Sequence, residues 1–113
     1  MRAVYENRFS ELEPLLARVE KPTRYIDHEW GAVRDREADF RVCLIYPDTY
    51  EVGLPNLGLS ILYNVLNAQE GIACERSFLP WIDMADLMRE RGVPLASLES
   101  AFPVSSFDVV GFT

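Results

Sequence analysis

The feature that most constrains the fold is a short apolar run that leads through a loop rich in Pro and Gly into a helical pattern. The run, Arg41 to Tyr46, contains β-branched and aromatic residues that favour a strand. The helical pattern extends from about Asn56 to Gln69. Its apolar stripe is predicted to consist of Leu57, Ile61, Leu62, Val65 and Leu66.

Two more strand patterns follow along the chain. They cover Ala73 to Leu79 and Asp108 to Thr113. Between them, Asp83 is a suitable N-cap for a helix that runs to Arg91, with its Met and Leu side chains facing inward. The β-α-β-α-β order predicts the α/β class: a partial, Rossmann-like, three-stranded parallel sheet with flanking helices, in flavodoxin-like order. Because no helix pattern follows the third strand, we expect the chain to be truncated, as the N-terminal piece of a longer protein.

We divide the chain into an N-terminal segment, residues 1–40, and an α/β domain, residues 41–113. An amphipathic helix is predicted from Asn7 to Glu20, and weak extended patterns at Tyr25 and Ala32 suggest a small hairpin. His28 is the single histidine, and in a polar turn it is more often exposed than a metal ligand. The apolar face of the N-terminal helix contains Leu12, Leu15, Leu16 and Val19.

Composition limits the kind of protein. A chain of 113 residues with a net charge of -7 forms one acidic domain, which disfavours binding to nucleic acid. The sequence has no apolar run long enough to span a bilayer and no secretory signal, so we expect a cytoplasmic protein without a membrane partner. Cys43 and Cys74 lack metal-ligand spacing. Core packing is the leading interpretation of both, with a disulfide or a reactive thiol as the alternatives.

The loop after the first strand is the best candidate for a site, because ligands bind outside the carboxyl ends of parallel strands. It contains Asp48, Tyr50, Glu51 and Gly53. The dinucleotide fingerprint G-x-G-x-x-G is absent, and no Lys follows the second glycine as a P-loop requires. A phosphoacceptor domain needs Asp at the end of the third strand, where this chain has Thr113.

The sequence resembles the cobalamin-binding-like domain that precedes the catalytic domain of radical SAM enzymes. The resemblance extends from about Lys21 onward and closely matches a group of uncharacterised radical SAM proteins. Its blocks are Tyr46 to Gly53, Asn56 to Leu59, Leu62-Tyr63, Glu75-Arg76, Pro80 to Met84, Leu98 to Ser100 and Asp108 to Phe112.

The resemblance implies particular cofactor contacts. Base-off cobalamin domains use D-x-H-x-x-G, and here Asp48, Tyr50 and Gly53 occupy those positions, with Tyr in place of the cobalt-ligating His. A small hydroxyl residue after the third strand is matched by Thr113. The resemblance thus implies a cobalamin site without His ligation, and it assigns no catalytic and no metal-binding residue to this chain.

The cluster motif C-x-x-x-C-x-x-C is absent from this sequence. The resemblance therefore places the [4Fe-4S] cluster and S-adenosylmethionine in a C-terminal radical SAM domain of the same polypeptide, and this chain alone is expected to catalyse nothing.

Two alternatives stay open. The loop residues also have a structural interpretation, in which Gly53 supplies a positive φ and Asp48 caps a helix or turn. Alternatively, these residues contact the catalytic domain. The whole chain has a second interpretation, as a non-catalytic interaction module with a degenerate ligand site. The exposed edge near Thr113 also predicts self-association.

Overall fold

A parallel three-stranded sheet forms the centre of the fold. The structure is a computed structural model, and it describes residues 9–19 and 38–113. Strand β1 spans Phe40–Tyr46, β2 spans Ile72–Phe78 and β3 spans Val109–Phe112. The spatial order is β2-β1-β3 and both pairings are parallel. The predicted fold class is therefore confirmed.

The helices lie close to their predicted positions. Helix α1 spans Phe9–Leu16, α2 Tyr50–Gly53, α3 Leu57–Asn67 and α4 Ile82–Arg91, and a 3-10 turn covers Val104–Ser106. Short α2 lies within the segment predicted as an uninterrupted loop. The predicted hairpin near Tyr25 and the predicted turn at His28 lie outside the described residues.

One smaller prediction, the N-cap of α4, was wrong in position. The N-cap of α4 is Trp81 rather than Asp83, whose carboxylate accepts the Met84 N–H at 2.7 Å from within the first turn.

The apolar stripe of α3 was also predicted on the wrong side. Leu59 and Tyr63 are the residues that α3 buries against the sheet. Most of the predicted stripe faces solvent, because a helix that is apolar on most of its sides has no single stripe from which its orientation can be deduced. The exposed members are Leu57, Ile61, Leu62 and Val65.

Apolar side chains cover both faces of β1. Val42 and Leu44 face α3, in a cluster that also includes Phe78 of β2. Cys43 and Ile45 point to the opposite face, where Phe107 from the connection between α4 and β3 covers them. A third cluster joins α1 to α4 through buried Leu and Met side chains. The N-terminal helix therefore packs on the α/β domain.

The two cysteines are buried on opposite faces of the sheet. The residue beside Cys74 in the parallel register is Val42, so Cys43 points away from Cys74. A disulfide between them is therefore excluded. Burial raises the pKa of Cys74 to about 12 and raises that of Cys43 further, so both stay protonated thiols. The core-packing interpretation explains both residues.

Asn67 at the end of α3 closes part of the outer edge of β2. Its Nδ2 donates to the Cys74 carbonyl at 3.0 Å, and its Oδ1 accepts the Cys74 N–H at 2.8 Å. One side-chain amide thus takes the place that a neighbouring strand would occupy.

Replacing Asn67 with Ala is expected to lower the free energy of unfolding by about 2 kcal/mol, because two backbone groups of a buried residue lose their partner. Urea denaturation measures the change. Asn64→Ala is the matched control, since Asn64 is exposed on the same helix. Equal destabilisation by the two variants would contradict a specific role for Asn67.

Candidate functional site

The candidate loop lies at the carboxyl end of the sheet and is fixed by backbone hydrogen bonds. The Asp48 N–H donates to the Tyr46 carbonyl at 2.8 Å. The Asp48 carbonyl accepts the Leu79 N–H at 2.9 Å, which ties the loop to the end of β2. The Asp48 carboxylate accepts the Thr49 N–H at 2.7 Å, just before α2. This carboxylate therefore stabilises the turn that begins α2.

Tyr50, which the resemblance matches to a ligating histidine, packs against the end of β2. Its ring meets the Phe78 ring edge-on, with centroids 5.7 Å apart and an interplanar angle of 85°. The ring is half-buried and packs on the same cluster as Val42 and Leu44. The local role of Tyr50 is thus to join α2 to the core.

Gly53 is required by close packing instead of by a positive φ. The glycines with positive φ in the described part of the chain are Gly71 and Gly92, so the turn interpretation of Gly53 was wrong. A β-carbon at Gly53 would lie 2.5 Å from Phe78 Cε1 and 2.9 Å from Tyr46 Cδ1. The backbone of α2 therefore rests directly on the Phe78 ring.

Thr113 lies on the same edge of the sheet as the loop. Its N–H donates to the Ile45 carbonyl at 3.1 Å, and the residue is exposed. Because β3 is the neighbour of β1, Thr113 and the turn at Asp48 follow adjacent strands. The fold thus brings all four predicted contact residues to the carboxyl end of the sheet.

The residues at this edge do not fit histidine-type ligation of a cobalamin. A phenol stands in the ligand position, and its ring is engaged with Phe78. Ligand sites of cofactor size usually have volumes of about 300–1,000 Å³. The cavity beside the end of β2 measures about 40 Å³, and a larger open hollow of about 380 Å³ lies along α4. Neither is lined by the four predicted contact residues.

A buried polar network, which no sequence motif predicted, lies along the outer edge of β2. The Glu99 carboxylate accepts the Arg76 backbone N–H and its Nε–H, both at 2.9 Å. The Leu98 N–H donates to the Arg76 carbonyl at 2.7 Å. The Arg76 guanidinium also lies 4.3 Å from the centre of the Tyr63 ring. A charged pair inside a predicted strand, Glu75-Arg76, was the signal that buried partners were needed.

The neighbouring residue, Glu75, points to the other face and holds the same connection. Its Oε1 accepts the Ser97 hydroxyl at 2.7 Å and the Ser100 N–H at 3.1 Å, and its Oε2 accepts the Ser100 hydroxyl at 3.0 Å. The Arg41 Nη1 atom lies 3.5 Å from Glu75 Oε2. Ser97 to Ser100 therefore bind β2 from both faces. Such saturated bonding is typical of a structural network and leaves Glu75 little capacity for catalysis.

Burial raises the pKa of Glu99 to about 7, although Arg76 opposes the shift. Burial also raises the pKa of Glu75, against bonds from Ser97 and Ser100. The described residues contain no group of three or more side chains suited to hold a metal ion. None of the helices among them has the length and apolarity needed to cross a bilayer.

The Glu99 shift predicts a pH dependence of stability. The folded carboxyl holds its proton up to about pH 7, whereas the unfolded one loses it near 4.5. Between these values the folded state binds more protons, so the free energy of unfolding falls as pH rises, by on the order of 3 kcal/mol from Glu99. Glu99→Gln should flatten this slope in urea denaturation between pH 4.5 and 7.5. Glu90→Gln, at an exposed site on α4, should preserve it, and an unchanged slope in Glu99→Gln would refute the assignment.

Gly53→Ala is expected to lower the free energy of unfolding by about 1–3 kcal/mol, because the added methyl group must displace the Phe78 ring. Gly58→Ala is the control. Its β-carbon would meet only Asn56 Oδ1, at 3.3 Å, and Ala favours a helix. Thermal unfolding followed by circular dichroism compares the two. If Gly53→Ala were as stable as Gly58→Ala, the close contact with Phe78 would be disproved.

Comparison with known proteins finds one family model that is similar to part of the chain. Residues 58–113 match the family model described as radical SAM proteins, N-terminal. The matched region runs from α3 to the end of β3 and contains the buried network on β2 except for Arg41. It excludes Asp48, Tyr50 and Gly53, and of the four predicted contacts it includes Thr113. No curated protein and no solved structure matched the chain. Over residues 58–113, the chain is therefore similar to the N-terminal region of radical SAM proteins.

Proposed function

We propose that this chain is an accessory N-terminal domain of a radical SAM enzyme, with a cobalamin-binding-like fold that lacks the ligating histidine. The observation that carries the proposal is the family match over residues 58–113. The parallel sheet supports it, because its carboxyl end presents the loop after β1 beside Thr113.

In this proposal the chemistry belongs to a radical SAM domain of the same polypeptide. Three thiolates in C-x-x-x-C-x-x-C hold the [4Fe-4S] cluster of such a domain, and the cluster binds S-adenosylmethionine. The present sequence has two cysteines. Both are buried as protonated thiols on opposite faces of the sheet. This chain therefore contributes structure and contacts to the enzyme.

The reading frame of the gene tests this assignment directly. A C-x-x-x-C-x-x-C motif in the same reading frame supports the assignment, and an in-frame stop without one overturns it.

A second candidate is a non-catalytic interaction module in which the loop after β1 binds no ligand and serves only to pack α2 on the sheet. The observation that favours it is the packing of Tyr50 and Gly53 on Phe78, which gives both residues a role without a cofactor. In either candidate, Asp48 and Thr113 remain exposed at the edge and accessible to a ligand or to another domain.

Titration with hydroxocobalamin separates the two candidates. We expect no shift of the visible spectrum with the wild-type protein, because no imidazole stands at position 50. A shift typical of a protein nitrogen ligand would contradict the proposal. Cofactor that stays with the protein through gel filtration, without a shift, supports a cobalamin contact held by shape. Protein that elutes from gel filtration without cobalamin supports the interaction module. Asp48→Asn and Glu90→Gln, an edge variant and a distant control, test whether retained cofactor lies at the predicted edge.

A further inference from the structure

The side chain at position 50 points into the core of the fold. The Tyr50 ring meets the Phe78 ring edge-on, and it packs on the cluster of buried side chains between α3 and the sheet. The Tyr50 hydroxyl oxygen, at the tip of the side chain, is buried. A side chain that binds a ligand at the carboxyl end of the sheet must present its tip to that surface. The direction of this side chain is therefore that of a packing residue.

The backbone of α2 fixes this direction. The Leu54 N–H donates to the Tyr50 carbonyl at 2.9 Å, so residue 50 is held in the first turn of the helix. Gly53 lies so close to the core that a β-carbon there would stand 2.5 Å from Phe78 Cε1. Phe78 is itself buried, and a close-packed ring leaves α2 no room to rotate about its axis. An imidazole in place of the phenol would thus face the same buried side chains.

Asp48 is bonded to the backbone on both sides of the loop. Its carboxylate accepts the Thr49 N–H at 2.7 Å, and its carbonyl accepts the Leu79 N–H at 2.9 Å. These bonds tie the loop to the start of α2 and to the end of β2. Val52, by contrast, is 51% exposed on the outer side of α2. The loop therefore has an inner side that contains Tyr50 and an outer side that contains Val52.

We infer that packing closes the loop after β1 to axial ligation of a cobalamin, so that a histidine restored at position 50 would not bind cobalt. The inference deepens the proposed function, on which it rests for the choice of ligand. A loop that had lost only its ligating side chain would keep an open space beside position 50. The two cavities described above are lined by neither Tyr50 nor Asp48. A ligand or a neighbouring domain at this edge would therefore meet the outer side of the loop.

Diaquacobinamide is a suitable probe, because it lacks the base of cobalamin and offers cobalt positions that an imidazole can take. The test compares Tyr50→His with Val52→His, which places the same imidazole on the exposed side of α2. Both variants also contain His28→Gln, so that the introduced imidazole is the single one in the chain. We expect Val52→His to shift the visible absorption bands of added diaquacobinamide. Tyr50→His should leave the bands as they are with the His28→Gln parent.

A Tyr50→His protein that is folded by circular dichroism and shifts the bands as strongly as Val52→His would overturn the inference. If Tyr50→His unfolds, or if neither imidazole shifts the bands, two truncations decide. Tyr50→Ala should lower the urea midpoint of unfolding much more than Val52→Ala, because it removes a ring from the core. Equal midpoints would also overturn the inference. None of these outcomes depends on the reading frame beyond Thr113, so they are distinct from a failure of the radical SAM assignment.

Discussion

The fold depends on closing the outer edge of β2 with side chains. An edge strand exposes unpaired N–H and C=O groups, and here Asn67 satisfies Cys74 while Glu99 and Leu98 satisfy Arg76. The outer edge of β2 therefore joins the end of α3 to the connection between α4 and β3. Because Glu99 and Arg76 are both buried, removing Glu99 would leave the Arg76 guanidinium without its partner, which typically costs about 3–5 kcal/mol. The Arg76–Glu99 pair therefore stabilises the edge of β2 only when both residues are present.

This closure also explains the path of the connection between α4 and β3. Ser97 and Ser100 bind Glu75 on one face of the sheet, while Leu98 and Glu99 lie on the face of α3. The turn that allows this crossing places Ala101 in the left-handed region, with φ of 54°. A residue with a β-carbon is held there at some cost, on the order of 1–2 kcal/mol. The hydrogen bonds to Glu75 and the burial of Ala101 compensate for this cost.

The sequence predicted the elements well and the orientations less well. β1, β2, β3, α3 and α4 were each predicted within one or two residues, because Pro, Gly and β-branched residues mark their ends. The buried side of α3 was wrong, since Leu and Ile occur on most sides of that helix and periodicity then has no clear maximum. The role of Gly53 was not predictable, because its constraint comes from Phe78, which is distant in sequence. The four candidate residues lie at the carboxyl end of the sheet, where ligands of parallel sheets bind, while their roles in binding stay predictions.

The blocks that carry the family resemblance include the residues that hold the edge together. Glu75-Arg76 and Leu98 to Ser100 form the network around β2, and both lie within the region matched by the family model. Their similarity is explained by folding, because a partner of each buried charge must be present in the other block. The loop that would report on cofactor chemistry lies before the matched region, and it departs from the cobalamin pattern at Tyr50. Similarity in the network therefore supports a common architecture, and function must be argued separately from the edge formed by Asp48 and Thr113.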